Sequence, residues 1–188
     1  SYERGTGENM VRLYDQMLRA LATSGGDMSY TAPCAHCGEN QLWQPYEAQT
    51  SLTTGHYYLC TDVYTETIKV SGGQTVCLDL KGNTLSGATR ALTTSGSTKD
   101  VVNIMDSSAE QTGSLQGCGA LYGAARGLAS GTITVAAGDE LNLYSGTLTA
   151  YQRKAYNANR GGVLYINGTF NMYGGQVTGG VASSFTGS

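Results

Sequence analysis

One short pattern returns four times between residues 68 and 180 and restricts the fold more than any other feature of the chain. It reads Leu78-Asp79-Leu80, Val102-Asn103-Ile104, Leu141-Asn142-Leu143 and Phe170-Asn171-Met172, each an apolar–polar–apolar triplet. Alternation with period two is the signature of a strand with one buried face. A second short strand follows each triplet, centred on Leu85, Leu115, Leu148 and Val177, after Gly82, Gly113, Gly146 and Gly175. A third precedes each: Ile68-Lys69-Val70, a weaker one at Leu92, Ile133-Thr134-Val135 and Leu164-Tyr165-Ile166. The central polar positions are 24, 39 and 29 residues apart. Three strands per repeat, without the Asn-Gly turns of a hairpin stack, predict an all-β chain forming a right-handed parallel β-helix of about four rungs. Leu80, Ile104, Leu143 and Met172 are expected to stack inside it.

The composition suits this fold. The 188 residues include 27 glycines, 2 prolines and only 13% charged residues. Tight corners need glycine, and stacked side-chain ladders need few charges. A net charge of −3 exerts no general attraction for nucleic acid. No apolar run approaches the ~20 residues of a membrane span.

Upstream of the repeats, Met10, Leu13, Tyr14, Met17, Leu18 and Leu21 form one apolar stripe at helical spacing. Thr6 fits the N-cap, Glu8 the positive end of the helix, and Gly25-Gly26 its stop. The expected organisation is a capping helix in residues 1–26, a Cys/His/Trp cap segment in 27–66, and the β-helix in 67–188. The chain stops straight after a strand pair, so the β-helix is expected to continue beyond it or to self-associate through its last rung.

The cap segment holds Cys34, Cys37, Cys60, His36, His56 and Trp43, the one tryptophan. Cys34-x-x-Cys37 is a tight two-thiolate clip, and tetrahedral zinc needs four ligands. Cys60 and His56, or His36, are the candidates to complete the set. Disulfides compete on equal terms, Cys34–Cys37 or Cys60–Cys77, with Cys118 left over. No βαβ context surrounds the motif, which argues against redox catalysis. No cofactor is otherwise required. Trp43, close to Pro45 and Tyr46, is expected to pack on the first rung.

These residues, with Gly38, Gly55, Tyr57, Tyr58, Leu59, Asp62, Leu78, Leu80, Gly82, Ile104, Asp106 and Ser107, trace C-x-x-C-G, W-x-P, G-x-Y-Y-L, L-x-L-x-G and I-x-D-S motifs. Over residues 34–180 the chain resembles β-helical secreted or wall-anchored proteins of gut Firmicutes. That resemblance implies a cell-surface or extracellular protein and is nearly silent on activity.

Within the repeats, Asp79, Asn103, Asn142 and Asn171 are expected to form an outward ladder. Parallel ladders of Thr84, Ser114, Thr147, Gln176 and of Ser86, Gln116, Thr149, Thr178 should flank it. The rung-closing loops 87–91, 117–131 and 150–162 fall at one corner. They hold Arg90, Arg126, Arg153, Lys154 and Arg160, five of eleven basic residues, with Tyr122, Tyr151 and Tyr156 and no acid. Arginine and tyrosine are favoured in recognition surfaces. The loops are therefore the expected ligand-binding residues of a non-catalytic module for a glycan or host protein. Two other classes stand beside it: a polysaccharide lyase or glycoside hydrolase fragment, and a structural stalk. Glycoside hydrolysis needs two facing carboxylates; Asp79 has asparagine above it, and Asp100, Asp106 and Asp139 lie where turns form.

Overall fold

The computed structural model describes residues 28–117, 131–150 and 162–179. The chain divides into two compact units, Ser1–Tyr30 and Thr31–Ser188. Of the described residues, Met28, Ser29 and Tyr30 belong to the first unit and all others to the second. The expected capping helix lies outside the described residues, as do Cys118, Tyr122, Arg126, Tyr151, Arg153, Lys154, Tyr156 and Arg160. No helix occurs among the described residues, so none there is long and apolar enough to cross a membrane.

The described chain is all-β, in three sheets whose strands from β2 onward pair in parallel. The largest contains β1 (Tyr30–Cys34), β2 (Gly38–Pro45), β4 (Gly55–Tyr58), β7 (Thr75–Asp79), β10 (Val101–Met105), β13 (Glu140–Leu143) and β16 (Thr169–Met172), neighbours in that order. The second contains β3 (Ser51–Leu52), β6 (Ile68–Val70), β9 (Leu92–Thr94), β12 (Ile133–Val135) and β15 (Leu164–Ile166). The third contains β5 (Val63–Thr65), β8 (Thr84–Gly87), β11 (Ser114–Gly117), β14 (Thr147–Ala150) and β17 (Gln176–Thr178). From β3 onward the chain visits the second, first and third sheets in the same order five times. Each strand then lies parallel to its counterparts one visit earlier and later.

Hydrophobic burial explains the arrangement. One face of strands β3 to β16 contributes to a single core, in which Val76, Leu78, Leu85, Leu92, Val102, Ile104, Leu115, Ile133, Leu141, Leu143 and Leu148 are fully buried. Each such side chain stabilises the fold by ~1.5–3 kcal/mol. The flanking ladders have the expected register: Thr84, Ser114, Thr147 and Gln176 align, as do Ser86, Gln116, Thr149 and Thr178. Thr84 and Ser114 hydroxyls share a 3.0 Å hydrogen bond, and Gln116 Nε2 donates to Ser86 Oγ at 2.7 Å. These polar ladders thus tie successive strands together.

Three expectations need correction. The sheets do not begin at residue 67: β3, β4 and β5 complete one visit to each sheet before it. The partner of Ile104 is Leu78, not Leu80, and that of Asn103 is Cys77, not Asp79. A shift by two residues preserves which face is apolar, so alternation alone does not detect it. Finally, Met172 is half exposed at the edge strand β16, although it aligns with the buried Leu143.

The corners are held by aspartates used as acceptors. Asp100 Oδ1 accepts the N–H groups of Gly73 and Gln74, both at 2.8 Å. Asp139 accepts those of Gly96 and Asp100, both at 2.9 Å. Asp79 Oδ1 accepts from Lys81 and Ser107, and Asp62 Oδ1 from Thr84. These carboxylates serve turns, as the positions of Asp100 and Asp139 suggested; Asp79, expected on the outward ladder, does so too. Glycine is required at Gly87, where a Cβ would collide with the Arg90 carbonyl.

Candidate metal centre

The outward line of the largest sheet carries the chemistry. Register places Trp43 beside His56, His56 beside Cys77, Cys77 beside Asn103, and then Asn142 and Asn171. Strand β1 ends at Cys34, residues 35–37 turn, and β2 starts at Gly38, whose φ of +90° suits glycine. This turn reaches far across the sheet: His36 Nδ1 and the Tyr144 hydroxyl share a 3.0 Å hydrogen bond. Tyr144 in turn stacks on Tyr173, ring centroids 4.9 Å apart.

The turn and the outward line together assemble four metal-ligating side chains. One ligand atom each from Cys34, Cys37, His56 and Cys77 lies within 4.8 Å of all the others. Cys37 Sγ and Cys77 Sγ are 3.8 Å apart. A tetrahedron with Zn–S bonds of ~2.3 Å has S···S edges of ~3.8 Å. The His56 ring is braced edge-on by Trp43, centroids 5.0 Å apart, and Trp43 Nε1 donates to Ala32 O. His56 Nε2 is buried without a hydrogen-bond partner. An unpaired buried nitrogen is costly unless something binds it, and this donor set suits a zinc-type ion.

Electrostatics distinguishes the thiols. Cys34 is brought down to about 5, first by a hydrogen bond from the Cys77 thiol and against the effect of burial, helped by the backbone N–H groups of Cys37 and His36. Cys77 is raised, first as the donor to Cys34 and then by burial. Burial also raises Cys37. Cys34 is therefore the sulfur most ready to bind a cation, and two flanking amides already face its charge.

Of the ligands expected from the sequence, the structure brings Cys34, Cys37 and His56 together and leaves Cys60 out. Cys60 lies beyond the end of β4, exposed and outside the cluster. Cys77 takes the fourth place because β7 pairs directly with β4 and puts Cys77 beside His56. The four described cysteines, Cys34, Cys37, Cys60 and Cys77, are free thiols, so neither the Cys34–Cys37 nor the Cys60–Cys77 disulfide is formed. Trp43 is buried and packs edge-on against His56 of β4, in the first visit to the three sheets.

Of the expected ligand-binding residues, Arg90 alone is described; it is partly buried in the connection from β8 to β9. The connections β8–β9, β11–β12 and β14–β15 all run from the third sheet to the second, so their ends share one corner. A shallow groove of ≈ 450 Å³ on the third sheet is lined by Asp62, Val63, Tyr64, Thr84, Ser86 and Gln116. No protein-family model, curated protein or solved structure matches the chain.

Proposed function

We propose that the chain is a zinc-stapled, non-catalytic module built on a right-handed parallel β-helix. The helix reading is supported by the fivefold visit to three parallel sheets in fixed order, and the hand by the strong right-handed preference of parallel crossovers. The observation that carries the metal assignment is the convergence of Cys34, Cys37, His56 and Cys77 within 4.8 Å. With four protein ligands the site has no open position, which is the pattern of structural rather than catalytic zinc. Bound metal joins the Cys34–Cys37 turn to β4 and β7 and keeps three adjacent thiols from oxidising.

The staple fits a module working outside the cell or at its surface, where a rigid scaffold presents loops to a glycan or protein. That recognition role is supported by the basic and tyrosine-rich composition of the loops holding Arg90, Arg126, Arg153, Lys154, Arg160, Tyr122, Tyr151 and Tyr156. The occupation of Asp79, Asp100 and Asp139 at turns favours a binder over the lyase or hydrolase alternative.

Elemental analysis of protein purified without chelator tests the metal assignment. One zinc per chain is expected, with the Cys34, Cys37 and Cys77 thiols slow to react until chelator is added. Protein that takes up no zinc when fully reduced would overturn it. A glycan array and pull-down, with the five basic residues replaced by alanine as control, tests recognition; retention unchanged by those replacements would exclude the loops.

A further inference from the structure

The ligand cluster is joined to a buried line of amides that runs away from it across the sheet. Asn103 is fully buried and Asn142 nearly so, although both stand on the face away from the hydrophobic core. Asn171 Nδ2 donates to Asn142 Oδ1 at 2.9 Å, and Asn142 Nδ2 donates to Asn103 Oδ1 at 2.9 Å. Asn103 Nδ2 approaches Val76 O at 3.4 Å and Cys77 Sγ at 3.5 Å. At the far end, Glu140 Oε1 accepts from Asn142 at 2.9 Å and lies 3.5 Å from Asn171 Nδ2.

The orientation of every amide follows from the two ends. A backbone carbonyl at Val76 and the Glu140 carboxylate are acceptors only. Asn103 must therefore turn its NH₂ toward Val76 and Cys77, which leaves its oxygen facing Asn142. Asn142 must turn its NH₂ toward both Asn103 and Glu140. Reversing any one amide would set two acceptors or two donors against each other. The Cys77 sulfur thus faces a fixed N–H donor that cannot rotate away.

Resting on the metal assignment above, we propose that Asn103 is a positioning residue for that site: its amide, held by Asn142, donates to the Cys77 sulfur and stabilises it as a metal-bound thiolate. The chemical need is clear. Three thiolates, a neutral imidazole and a divalent ion sum to about −1, and two of the thiolates, Cys34 and Cys77, are buried. Cys34 has backbone N–H groups to share its part of that charge, and Asn103 supplies the equivalent for Cys77. Donors of this kind change metal affinity by ~10–100-fold when removed.

The test uses cobalt(II) added to the full, reduced chain, with sulfur-to-cobalt charge-transfer absorption as the readout. Wild-type protein should bind one cobalt and show the band of a thiolate-rich tetrahedral site. Asn103→Asp keeps the shape and the acceptor for Asn142 but sets an oxygen against Cys77. It should bind ~10–100-fold more weakly, with the band moved to longer wavelength because the sulfur lone pairs are less stabilised. Asn142→Leu leaves the Cys77 contact in place but frees Asn103 to turn, and should give a smaller shift in the same direction. Asn171→Ala, at the outer end, should stay within ~2-fold of wild type, short of the loss expected for a direct donor. Wild-type affinity and an unmoved band in both Asn103→Asp and Asn142→Leu would overturn the role of Asn103 while leaving the metal site intact. Failure of wild-type protein to bind cobalt would remove both.

Discussion

Replacing Asp106 by alanine should be among the most damaging single changes outside the hydrophobic core. The residue is 4% exposed, and its carboxylate gathers donors from three chain segments. Oδ1 accepts the N–H of Gly82 at 2.9 Å, the N–H of Ser108 at 3.0 Å and the hydroxyl of Ser108 at 2.7 Å. Oδ2 accepts the N–H of Gly113 at 2.6 Å. In the alanine variant the buried Gly113 N–H loses its partner, at ~1–3 kcal/mol, and the half-buried Gly82 N–H adds a smaller amount. Ser108 can turn its groups to water. The expected loss is ~2–5 kcal/mol, or ~4–20 °C in Tm at about 2–4 °C per kcal/mol for a chain this size. The Asp106→Asn variant would keep one acceptor oxygen but turn an NH₂ toward one set of donors, so its cost should fall between, at ~1–3 kcal/mol. Urea titration followed by circular dichroism gives the order. A loss below ~1 kcal/mol in Asp106→Ala would show that the carboxylate does not hold the corner.

Cys77→Ser should abolish zinc retention while Cys60→Ser leaves one zinc per chain, as measured by elemental analysis; the reverse pattern would restore Cys60 to the ligand set. Leu143→Ala, at a fully buried position, should cost ~2–5 kcal/mol in urea denaturation. Lys99 first, and then Asn142, hold the Glu140 carboxyl below its usual range. A depressed folded value means that its stabilising effect is present above the unfolded pKa and fades as pH falls through the folded one. Stability of Glu140→Gln should therefore differ from wild type at about pH 6 and converge on it toward about pH 3. Val177→Lys, at the partly exposed edge strand β17, should suppress any concentration-dependent association seen by light scattering.

The all-β class, the parallel sheets, the two flanking ladders and three of the four clustered ligand positions were legible because each has a local signature. Alternation marks strands, glycine marks corners, and C-x-x-C marks a two-thiolate clip. The exact partner of β10 was not legible. Val76-Cys77-Leu78 and Leu78-Asp79-Leu80 are both apolar–polar–apolar, and either could lie beside Val102-Asn103-Ile104. Taking the later triplet gives a ladder headed by Asp79. The structure pairs Asn103 with Cys77 and leaves Asp79 to bind the backbone of Lys81 and Ser107.

That two-residue choice decides what the outward face can do. With Asp79 at its head, the asparagine ladder ends on a solvated carboxylate and the cysteines stand apart as a local clip. With Cys77 there, one unbroken line runs Trp43, His56, Cys77, Asn103, Asn142, Asn171, and the Cys34–Cys37 turn folds onto it. Cys77, Asn103 and Asn142, all buried, are then tied in one polar line, Asn142 donating to Asn103 and Asn103 approaching the Cys77 sulfur. A signal for this was present. Cysteine is among the most buried residue types, and Cys77 stands mid-strand between two core residues. A buried thiol at an outward position needs partners, and the nearest strand supplies a histidine beside it.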